Sequence, residues 1–227
     1  PKLQTNARKK LFLDLNNFFE DNNISIKGSA ISFSTPNRII INFSNISKDA
    51  VKKSQEIRGP SVDARPEALE GFLKSYDIKK SQLKSRLTEK GEFYFYKKSE
   101  QKLKTQDLLK KNLPLILDKV DWNKSMKWGD KKMFWGRPLK SILAVFDEER
   151  IEFSFYHLKS SNHTFLDKDF EEKIKNFKNF KSYLEYFKST KTILDQDKRK
   201  NFIINELNRI SKKNDLLINL KEYLLDE

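Results

Sequence analysis

Apolar side chains near the start of the chain recur with the period of an α-helix. Leu3, Ala7, Leu11 and Leu15 lie four residues apart, with mainly polar residues between them. Residues at this spacing share one face of a helix, because an α-helix makes one turn every ~3.6 residues. The pattern therefore predicts an amphipathic helix over residues 2–21.

The next segment changes to the period of a β-strand. Ile31 and Phe33 alternate with polar residues before Pro36, and apolar positions resume after it at Ile39. Successive side chains of a strand point to opposite faces, so this alternation favours two half-buried strands. Pro36 fixes φ and has no N–H to donate, which suits a turn. We therefore predict two strands within residues 30–46, joined at Pro36.

The rest of the chain mixes shorter predicted strands with predicted helices. Alternating aromatic residues mark a strand, and apolar positions three or four residues apart mark the helices. In chain order, the patterns predict a polar loop over residues 47–65, a helix over 66–76, a strand over 92–98 and a helix over 105–120 that is interrupted or kinked near Pro114. They then predict two strands, over 139–146 and 150–158, around an acidic turn. A helix over 170–187, capped by Asp167 or Asp169, and a long final helix over 195–225 complete the chain.

This order of elements predicts an α+β fold. Mixed or antiparallel strands are expected to pack with helices over residues 1–166. A helical C-terminal section is expected to follow over residues 167–227, where no further strand is predicted. We find no internal repeat in the sequence.

The charge of the chain indicates what kind of partner it binds. Lys and Arg number 46 against 32 Asp and Glu, a formal net charge of +14. Residues 52–140 hold 23 basic and 12 acidic side chains, whereas residues 141–227 hold 16 of each. Such a surplus favours a polyanionic partner, either nucleic acid or an acidic membrane face, with its footprint in residues 52–140. A mutationally biased genome also explains abundant Lys, but it does not explain the balanced final third.

Composition excludes several kinds of chemistry. The chain has no Cys, which excludes disulfides, thiol nucleophiles and zinc–thiolate sites. Its two His residues are too few for a His-rich metal site. We see no apolar run of the ~20 residues that cross a bilayer and no signal peptide. Pro1 opens the chain without an initiator Met, so we expect a cytoplasmic fragment with no membrane partner.

Catalytic motifs are also missing from the sequence. It has no GxGxxG, Walker loop, HExxH or GxSxG. Gly129-Asp130-Lys131-Lys132 places an Asp near Lys, as in metal-dependent nuclease sites. Such a cluster arises often by chance in a chain this charged, and a solvated turn explains it as well. We therefore predict no catalytic and no metal-binding residue.

One segment combines cations, indoles and glycines within a dozen residues. Met126-Lys127-Trp128-Gly129 is followed shortly by Phe134-Trp135-Gly136-Arg137-Pro138. Lys127 and Arg137 are candidates for RNA phosphate contacts, and Trp128 for stacking on an unpaired base. In the alternative interpretation the indoles fill the core, and the two cations form ion pairs or are only solvated.

Two further features are weaker candidates for binding. His163 lies in a polar segment and is a candidate for contact with phosphate or with a partner subunit. The alternative for His163 is a structural role in a loop or in the core. Tyr94 and Tyr96 share one face of a predicted strand and are candidates for base stacking, with a packed second sheet face as the alternative.

Six segments resemble the β subunit of the bacterial two-subunit glycyl-tRNA synthetase, in the same order and with the same spacing. They extend over nearly the whole chain, and six matches in the right order are much harder to obtain by chance than one. The segments are Phe33-Ser34-Thr35-Pro36-Asn37-Arg38, Ile57-Arg58-Gly59-Pro60, Lys90-Gly91-Glu92-Phe93, Met126-Lys127-Trp128, Phe134-Trp135-Gly136-Arg137-Pro138, and His163 with Phe165-Leu166.

The chain also departs from the family pattern. Asn37 replaces the first Arg of the family's Pro-Arg-Arg, while Arg38 keeps the second. Thr164 stands where the family has Arg after His163, which argues against a phosphate role for that segment. Both ends of the chain match positions inside the family sequence. The resemblance therefore implies roughly the first third of a β subunit.

The resemblance implies a division of labour between two subunits. In this family the α subunit carries the class II catalytic core and binds ATP, Mg²⁺ and glycine. The β subunit supplies tRNA recognition, and the usual assembly is an α₂β₂ heterotetramer. The chain is then expected to contribute to tRNA(Gly) binding and to α/β assembly, with no cofactor of its own. Its candidate RNA-binding residues are Arg58, Lys127, Trp128, Arg137 and His163.

Two other functions stay open at this point. The chain could be a protein–protein scaffold module with little RNA affinity of its own, which the balanced charge of residues 141–227 suits. The remote alternative is a metal-dependent nuclease centred on Asp130. The missing catalytic motifs argue against a nuclease.

Overall fold

The computed structural model describes residues 2–52, 54–128, 132–166, 174–219 and 221–225. Helices and mainly antiparallel strands mix along the chain, so the predicted α+β class is confirmed. The helices are α1 (Lys2–Asp21), α2 (Pro66–Tyr76), α3 (Thr105–Asp118), α4 (Phe180–Ser189), α5 (Gln196–Asn214) and α6 (Glu222–Leu225), with a short 3₁₀ helix at Lys80–Gln82.

The strands are short and form several small sheets. They are β1 (Ala30–Thr35), β2 (Arg38–Phe43), β3 (Asp49–Lys52), β4 (Gln55–Ser61), β5 (Leu83–Thr88), β6 (Gly91–Lys98), β7 (Gln101–Lys104), β8 (Met126–Lys127), β9 (Phe134–Trp135), β10 (Ile142–Leu143), β11 (Val145–Phe146), β12 (Glu149–Arg150), β13 (Ser154–Phe155), β14 (Leu158–Ser161), β15 (His163–Phe165) and β16 (Ile174–Asn176).

The chain divides into two compact units. Unit 1 comprises Pro1–Lys48 and Lys104–Glu227, and unit 2 comprises Asp49–Leu103. Unit 2 is thus an insertion within residues 1–166, which the sequence analysis did not predict. The predicted boundary at residue 167 falls on residues 167–173, which lie outside the described part of the chain, and it stays a prediction.

In unit 1, helix α1 packs on the β1–β2 hairpin. The predicted helical face is confirmed, because Ala7, Leu15 and the aromatic pair Phe18 and Phe19 are buried. The guanidinium of Arg8 donates to the backbone oxygen of Ser32 at 2.8 Å, which holds the helix against β1. The long apolar stripe of α1 thus becomes one wall of the core.

Next to this wall lies a cluster that we call the tryptophan cluster. It surrounds Met133, whose side chain is only 1% exposed. Gly136 lets the chain pass close to an indole, since a Cβ there would lie 2.2 Å from Cε3 of Trp122. The buried members of the cluster are Ala7, Val120, Trp122, Met133, Trp135 and Phe155.

The C-terminal helices pack on the opposite face of the β1–β2 hairpin. Phe33 and Ile40 are directly paired across the hairpin, and both contact a cluster built around Tyr183 and Phe187 of α4. The guanidinium of Arg199 in α5 donates to the backbone oxygen of Ser34 at 3.0 Å. The hairpin therefore lies between α1 and the helical section.

Unit 2 contains a three-stranded antiparallel sheet in the order β4-β6-β5, and β3 pairs with β7. Helix α2 lies on the face that carries Tyr96, whose ring centroid is 6.3 Å from that of Tyr76. A Cβ at Gly59 would lie 3.1 Å from the ring of Phe72 in α2, on the same face. The Tyr94 and Tyr96 face is thus the packed face, as the alternative interpretation held.

Two sequence predictions are wrong in part, and a third falls outside the described residues. Residues 47–65 are not a loop, because β3 and β4 lie within them. Residues 174–176 are not helical, because they form β16, which pairs with β15. The predicted cap residues Asp167 and Asp169 lie outside the described residues, and the described helix α4 is capped instead by Asn179, whose side chain accepts from the backbone N–H of Ser182 at 2.9 Å.

The remaining differences concern the continuity and the length of the predicted helices and strands. Helix α3 runs through Pro114 without interruption. The strands predicted on either side of the acidic turn are present as shorter pieces, and Asp147 and Glu148 form the turn with φ of 50° and 65°. The final helix ends at Asn214, because Asp215 takes a left-handed conformation with φ of 50°. Among the described residues, no helix is long and apolar enough to cross a membrane.

Candidate nucleic-acid interface

Strands β8 and β9 pair with each other and carry one of the candidate residues, Lys127. Lys127 lies directly opposite Phe134, and Met126 lies opposite Trp135. Paired residues share a face, so Lys127 and Phe134 lie on one face and Met126 and Trp135 on the other. On the second face Trp135 is 7% exposed, whereas Met126 is 62% exposed. Phe134 is 61% exposed. A cation and an aromatic ring therefore stand side by side on the solvent face.

Trp128 connects β8 and β9 to the tryptophan cluster. Its ring is half-buried against the tryptophan cluster. Its indole Nε1 donates to the backbone oxygen of Trp135 at 2.8 Å. The N–H of Trp128 is therefore already satisfied inside the protein. Only the open part of the ring can meet a ligand.

Lys127 and Arg137 are both exposed. In the part of the chain that the structure describes, neither side chain takes part in an ion pair or a hydrogen bond. Residues 119–140 contain seven basic and two acidic side chains. Within this segment, Lys127 lies on β8 and Arg137 closely follows β9, so these two charges stand beside the paired strands. Such an arrangement can hold phosphate groups by charge and by guanidinium hydrogen bonds.

His163 lies elsewhere in unit 1, on β15 opposite Asn176. It is half-buried, and its backbone oxygen accepts from the hydroxyl of Ser161 at 2.9 Å. The next residue, Thr164, is buried. The structure does not bring His163 into the β8–β9 hairpin. Its assignment to RNA or to a partner stays a prediction.

Arg38 supplies a guanidinium beside the segment in which the family's Arg is replaced by Thr164. Its Nη1 donates to Oγ1 of Thr164 at 3.0 Å, and its Nη2 donates to the backbone oxygen of Phe165. The same guanidinium lies over the ring of Phe187, 4.9 Å from the centroid. Burial raises the pKa of the neighbouring Tyr183 hydroxyl, and Arg38 partly offsets that rise. Arg38 is therefore bound within the fold.

Arg58 lies in unit 2, on strand β4. Its guanidinium covers the ring of Phe93 at 3.6 Å from the centroid, and its side chain is exposed. Arg86 on β5 similarly lies 4.8 Å from the centroid of Phe95. Arg86 is not among the candidates predicted from the sequence, because β5 itself was not predicted. The alternation of Lys84 and Arg86 along that strand was the available signal.

The described residues contain no metal site of the kind that the nuclease hypothesis requires. Among them, no group of three or more His, Cys, Asp or Glu could hold a metal ion. Gly129, Asp130 and Lys131 lie outside the described residues, so the Asp130 hypothesis itself is not tested by the geometry.

The described features are those of an α+β protein that displays cations and aromatic rings on its surface. The family model described as "Glycyl-tRNA synthetase beta subunit" matches residues 1–227. The chain therefore belongs to the family of glycyl-tRNA synthetase β subunits, as the resemblance indicated.

Curated relatives agree with this family. The "Glycine--tRNA ligase beta subunit" of Rickettsia africae (strain ESF-5) is 30% identical over 225 residues, which are 99% of this chain and 34% of that protein. The protein of the same name from Rickettsia prowazekii (strain Madrid E) is 34% identical over 163 residues, which are 72% of this chain and 24% of that protein. The chain thus spans about a third of the length of the relatives that it matches most fully.

Proposed function

We propose that the chain serves glycine–tRNA ligation as part of a synthetase β subunit and that it binds tRNA(Gly) through phosphate contacts. Adenylate formation and acyl transfer would take place on the α subunit, which would bind ATP and Mg²⁺. The working enzyme would be a cytoplasmic α₂β₂ heterotetramer. The family match over the whole chain supports the role in ligation.

The observation that carries the tRNA proposal is the pair Lys127 and Arg137. Both are exposed, and neither has a partner among the described residues. Cations without a protein partner pay no cost for breaking an ion pair when they meet phosphate. Contacts of this kind position an RNA without reading its sequence. They also make binding fall steeply with salt, because each contact releases condensed counterions.

The test is a titration of the chain with tRNA(Gly), an unrelated tRNA and a DNA duplex, at low and at moderate salt. The proposal expects tighter binding to tRNA than to the duplex and a steep loss of affinity with salt. Absence of tRNA binding at low salt, despite a net charge of +14, would overturn autonomous tRNA binding. It would leave the family assignment intact.

A second candidate function, assembly with the synthetase α subunit, rests on helix α5. Ile203, Leu207 and Ile210 recur at helical spacing, yet no described residue of α5 is buried. Ile203 is 41% exposed and Ile210 is 46% exposed. An apolar helix face open to solvent is typical of a protein contact. Co-purification with the α subunit, lost in Ile203→Lys and retained in Lys213→Gln, would support assembly; equal recovery of both variants would argue against it.

A further inference from the structure

The two faces of the unit 2 sheet differ in what covers them. Helix α2 packs on the face of Tyr94 and Tyr96. Phe93 and Phe95 alternate with these tyrosines along β6, so they point to the opposite face. Within the described residues of unit 2, no helix packs on that face. The central strand of the sheet therefore carries two phenyl rings on its open side.

Cations on both neighbouring strands border these rings. Arg58 of β4 and Lys84 of β5 lie directly opposite Phe95, and Arg86 of β5 lies opposite Phe93. The guanidinium of Arg58 is stacked over the ring of Phe93, and that of Arg86 lies over the ring of Phe95. All three side chains are exposed.

Charge on this face is strongly one-sided. On β4, β5 and β6 its side chains include four cations and one carboxylate, Glu56. Glu56 makes a bidentate contact with Arg86, at 2.7 Å and 3.1 Å. This contact is exposed, so it contributes little stability and can be exchanged for phosphate at small cost. The face as a whole is complementary to a polyanion.

We infer that this face of unit 2, built on Phe93 and Phe95 with Arg58, Lys84 and Arg86, binds a single-stranded segment of RNA. The inference deepens the proposed function and rests on it for the choice of RNA as the polyanion. The residues Phe93 and Phe95 are about 7 Å apart along the strand, which suits neighbouring unstacked bases. The cations on the outer strands are placed to hold the phosphates.

Stacking selects unpaired nucleotides over a duplex. A base in a duplex has both faces covered by its neighbours, whereas an unpaired base can lie on a phenyl ring or on a guanidinium plane. The guanidinium carbon of Arg58 lies over the ring of Phe93, 3.6 Å from its centroid, and the side chain is exposed, so a base can approach the guanidinium from the solvent side. RNA-binding sheets use the same combination of central aromatic rings and peripheral cations.

The test uses the whole chain and a fluorescein-labelled RNA of about seven nucleotides, either single-stranded or annealed to its complement. Fluorescence anisotropy at moderate salt is expected to show tighter binding of the single strand. The double substitution Phe93→Leu with Phe95→Leu is expected to weaken single-strand binding at least about fivefold. Phe72→Leu, which alters a ring of α2 on the packed face, is the matched control and is expected to change it little.

Arg58→Gln provides a second variant whose folding is not in question, because the side chain is exposed. It is expected to weaken single-strand binding several-fold, while Arg65→Gln, an exposed Arg of the same unit that precedes α2, is expected to have little effect. Shifts of backbone amide resonances in β6 would locate the contact independently of any substitution.

The outcomes separate this inference from the proposed function. If tRNA binds but the oligonucleotide binds equally to the double variant Phe93→Leu with Phe95→Leu, to Arg58→Gln and to the parent chain, the inference is overturned and the tRNA proposal stands. If tRNA does not bind while the oligonucleotide shows the expected losses, the single-strand site stands and the tRNA proposal fails. Equal affinity for the single strand and the duplex would also overturn the inference, because phosphate contacts alone would explain it.

Discussion

In unit 1 the rings of the tryptophan cluster lie inside the core and the cations Lys127 and Arg137 lie outside it, whereas in unit 2 the rings and the cations share one open sheet face. The difference follows from what packs against each ring. The ring of Trp135 packs edge-on against that of Phe155, with 5.7 Å between centroids, whereas the guanidinium of the exposed Arg58 lies over the half-buried ring of Phe93. The same residue types therefore serve stability in one unit and can serve binding in the other.

This comparison separates two uses of an aromatic residue next to a cation. In unit 1 a substitution of the ring should act first on folding, because the ring fills space in a close-packed interior. In unit 2 a substitution of the ring should act first on binding, because one side of the sheet is open. In both units, substitution of an exposed cation should have a large effect on binding and a small effect on stability, which is the opposite of what substitution of a core residue does.

The largest effect is expected at Gly136 of unit 1. In Gly136→Ala the new Cβ would lie 2.2 Å from Cε3 of Trp122 and 3.0 Å from Cδ2 of Leu3. Neither an indole in a packed cluster nor its neighbours can move without cost. We expect the free energy of unfolding to fall by about 3 kcal/mol, measured by urea denaturation with tryptophan fluorescence.

Gly71 of α2 in unit 2 is the matched control for this substitution. A Cβ at Gly71 meets no atom within 4 Å. Gly71→Ala should stabilise α2 by ~0.5–1 kcal/mol, because Ala has the higher helix propensity, as measured by amide hydrogen exchange in α2. Equal effects of the two substitutions would contradict the close packing of Gly136 against Trp122.

The second prediction concerns Trp128, whose half-buried ring is intermediate between the buried rings of the tryptophan cluster and an exposed ring. Trp128→Phe keeps an aromatic ring but removes the hydrogen bond to the backbone oxygen of Trp135. We expect thermal denaturation to show a loss of ~1–2 kcal/mol, with tRNA affinity nearly unchanged. An unchanged free energy of unfolding together with a large loss of tRNA affinity would instead identify Trp128 as a direct RNA contact.

The sequence predicts the elements whose apolar pattern is both strong and buried. Helix α1 and the β1–β2 hairpin were found with their bounds nearly correct, because the hairpin is half-buried on both faces, where Ile39 packs against the tryptophan cluster and Phe33 and Ile40 pack against the cluster of α4. Strands β4 and β5 were missed, because their open face carries Arg58, Lys84 and Arg86 where a buried strand would carry apolar residues. Their pairing depends on β6, and a single strand's sequence does not reveal its partner.

The candidate site was predictable in composition but not in orientation. Lys127 and Trp128 could be selected because cations and indoles are adjacent in the sequence. Strands β8 and β9 have two residues each, which is too few to show which side chain faces the core. Phe134 and Trp135 are adjacent aromatic residues, and only packing decides that the first is exposed and the second is buried.

The third prediction addresses the cations of unit 1. Lys127→Gln and Arg137→Gln should each weaken tRNA binding several-fold at low salt and reduce the slope of log affinity against log salt by about 1. Their free energies of unfolding should match that of the parent chain, because both side chains are exposed. Lys213→Gln in α5 is the control, since it removes an equal charge from the balanced third of the chain. A loss as large in Lys213→Gln would assign tRNA binding to net charge alone.

The smallest effect is expected at Tyr183, a ring of unit 1 that also carries a titratable group. Burial raises the pKa of its hydroxyl above the ordinary value of 10.0. Well below pH 10 the hydroxyl is protonated in both the folded and the unfolded chain, so its contribution to stability is constant. As the pH rises through 10 towards the folded-state pKa, the unfolded chain loses this proton first, and the folded state loses stability. Tyr183→Phe should therefore flatten the decline in unfolding free energy above pH 10 relative to the parent chain, in denaturation series at pH 8 to 11. Identical declines in the two proteins would mean that the Tyr183 hydroxyl reaches water in the folded state, and the cluster against which Arg38 packs would then be more open than its burial indicates.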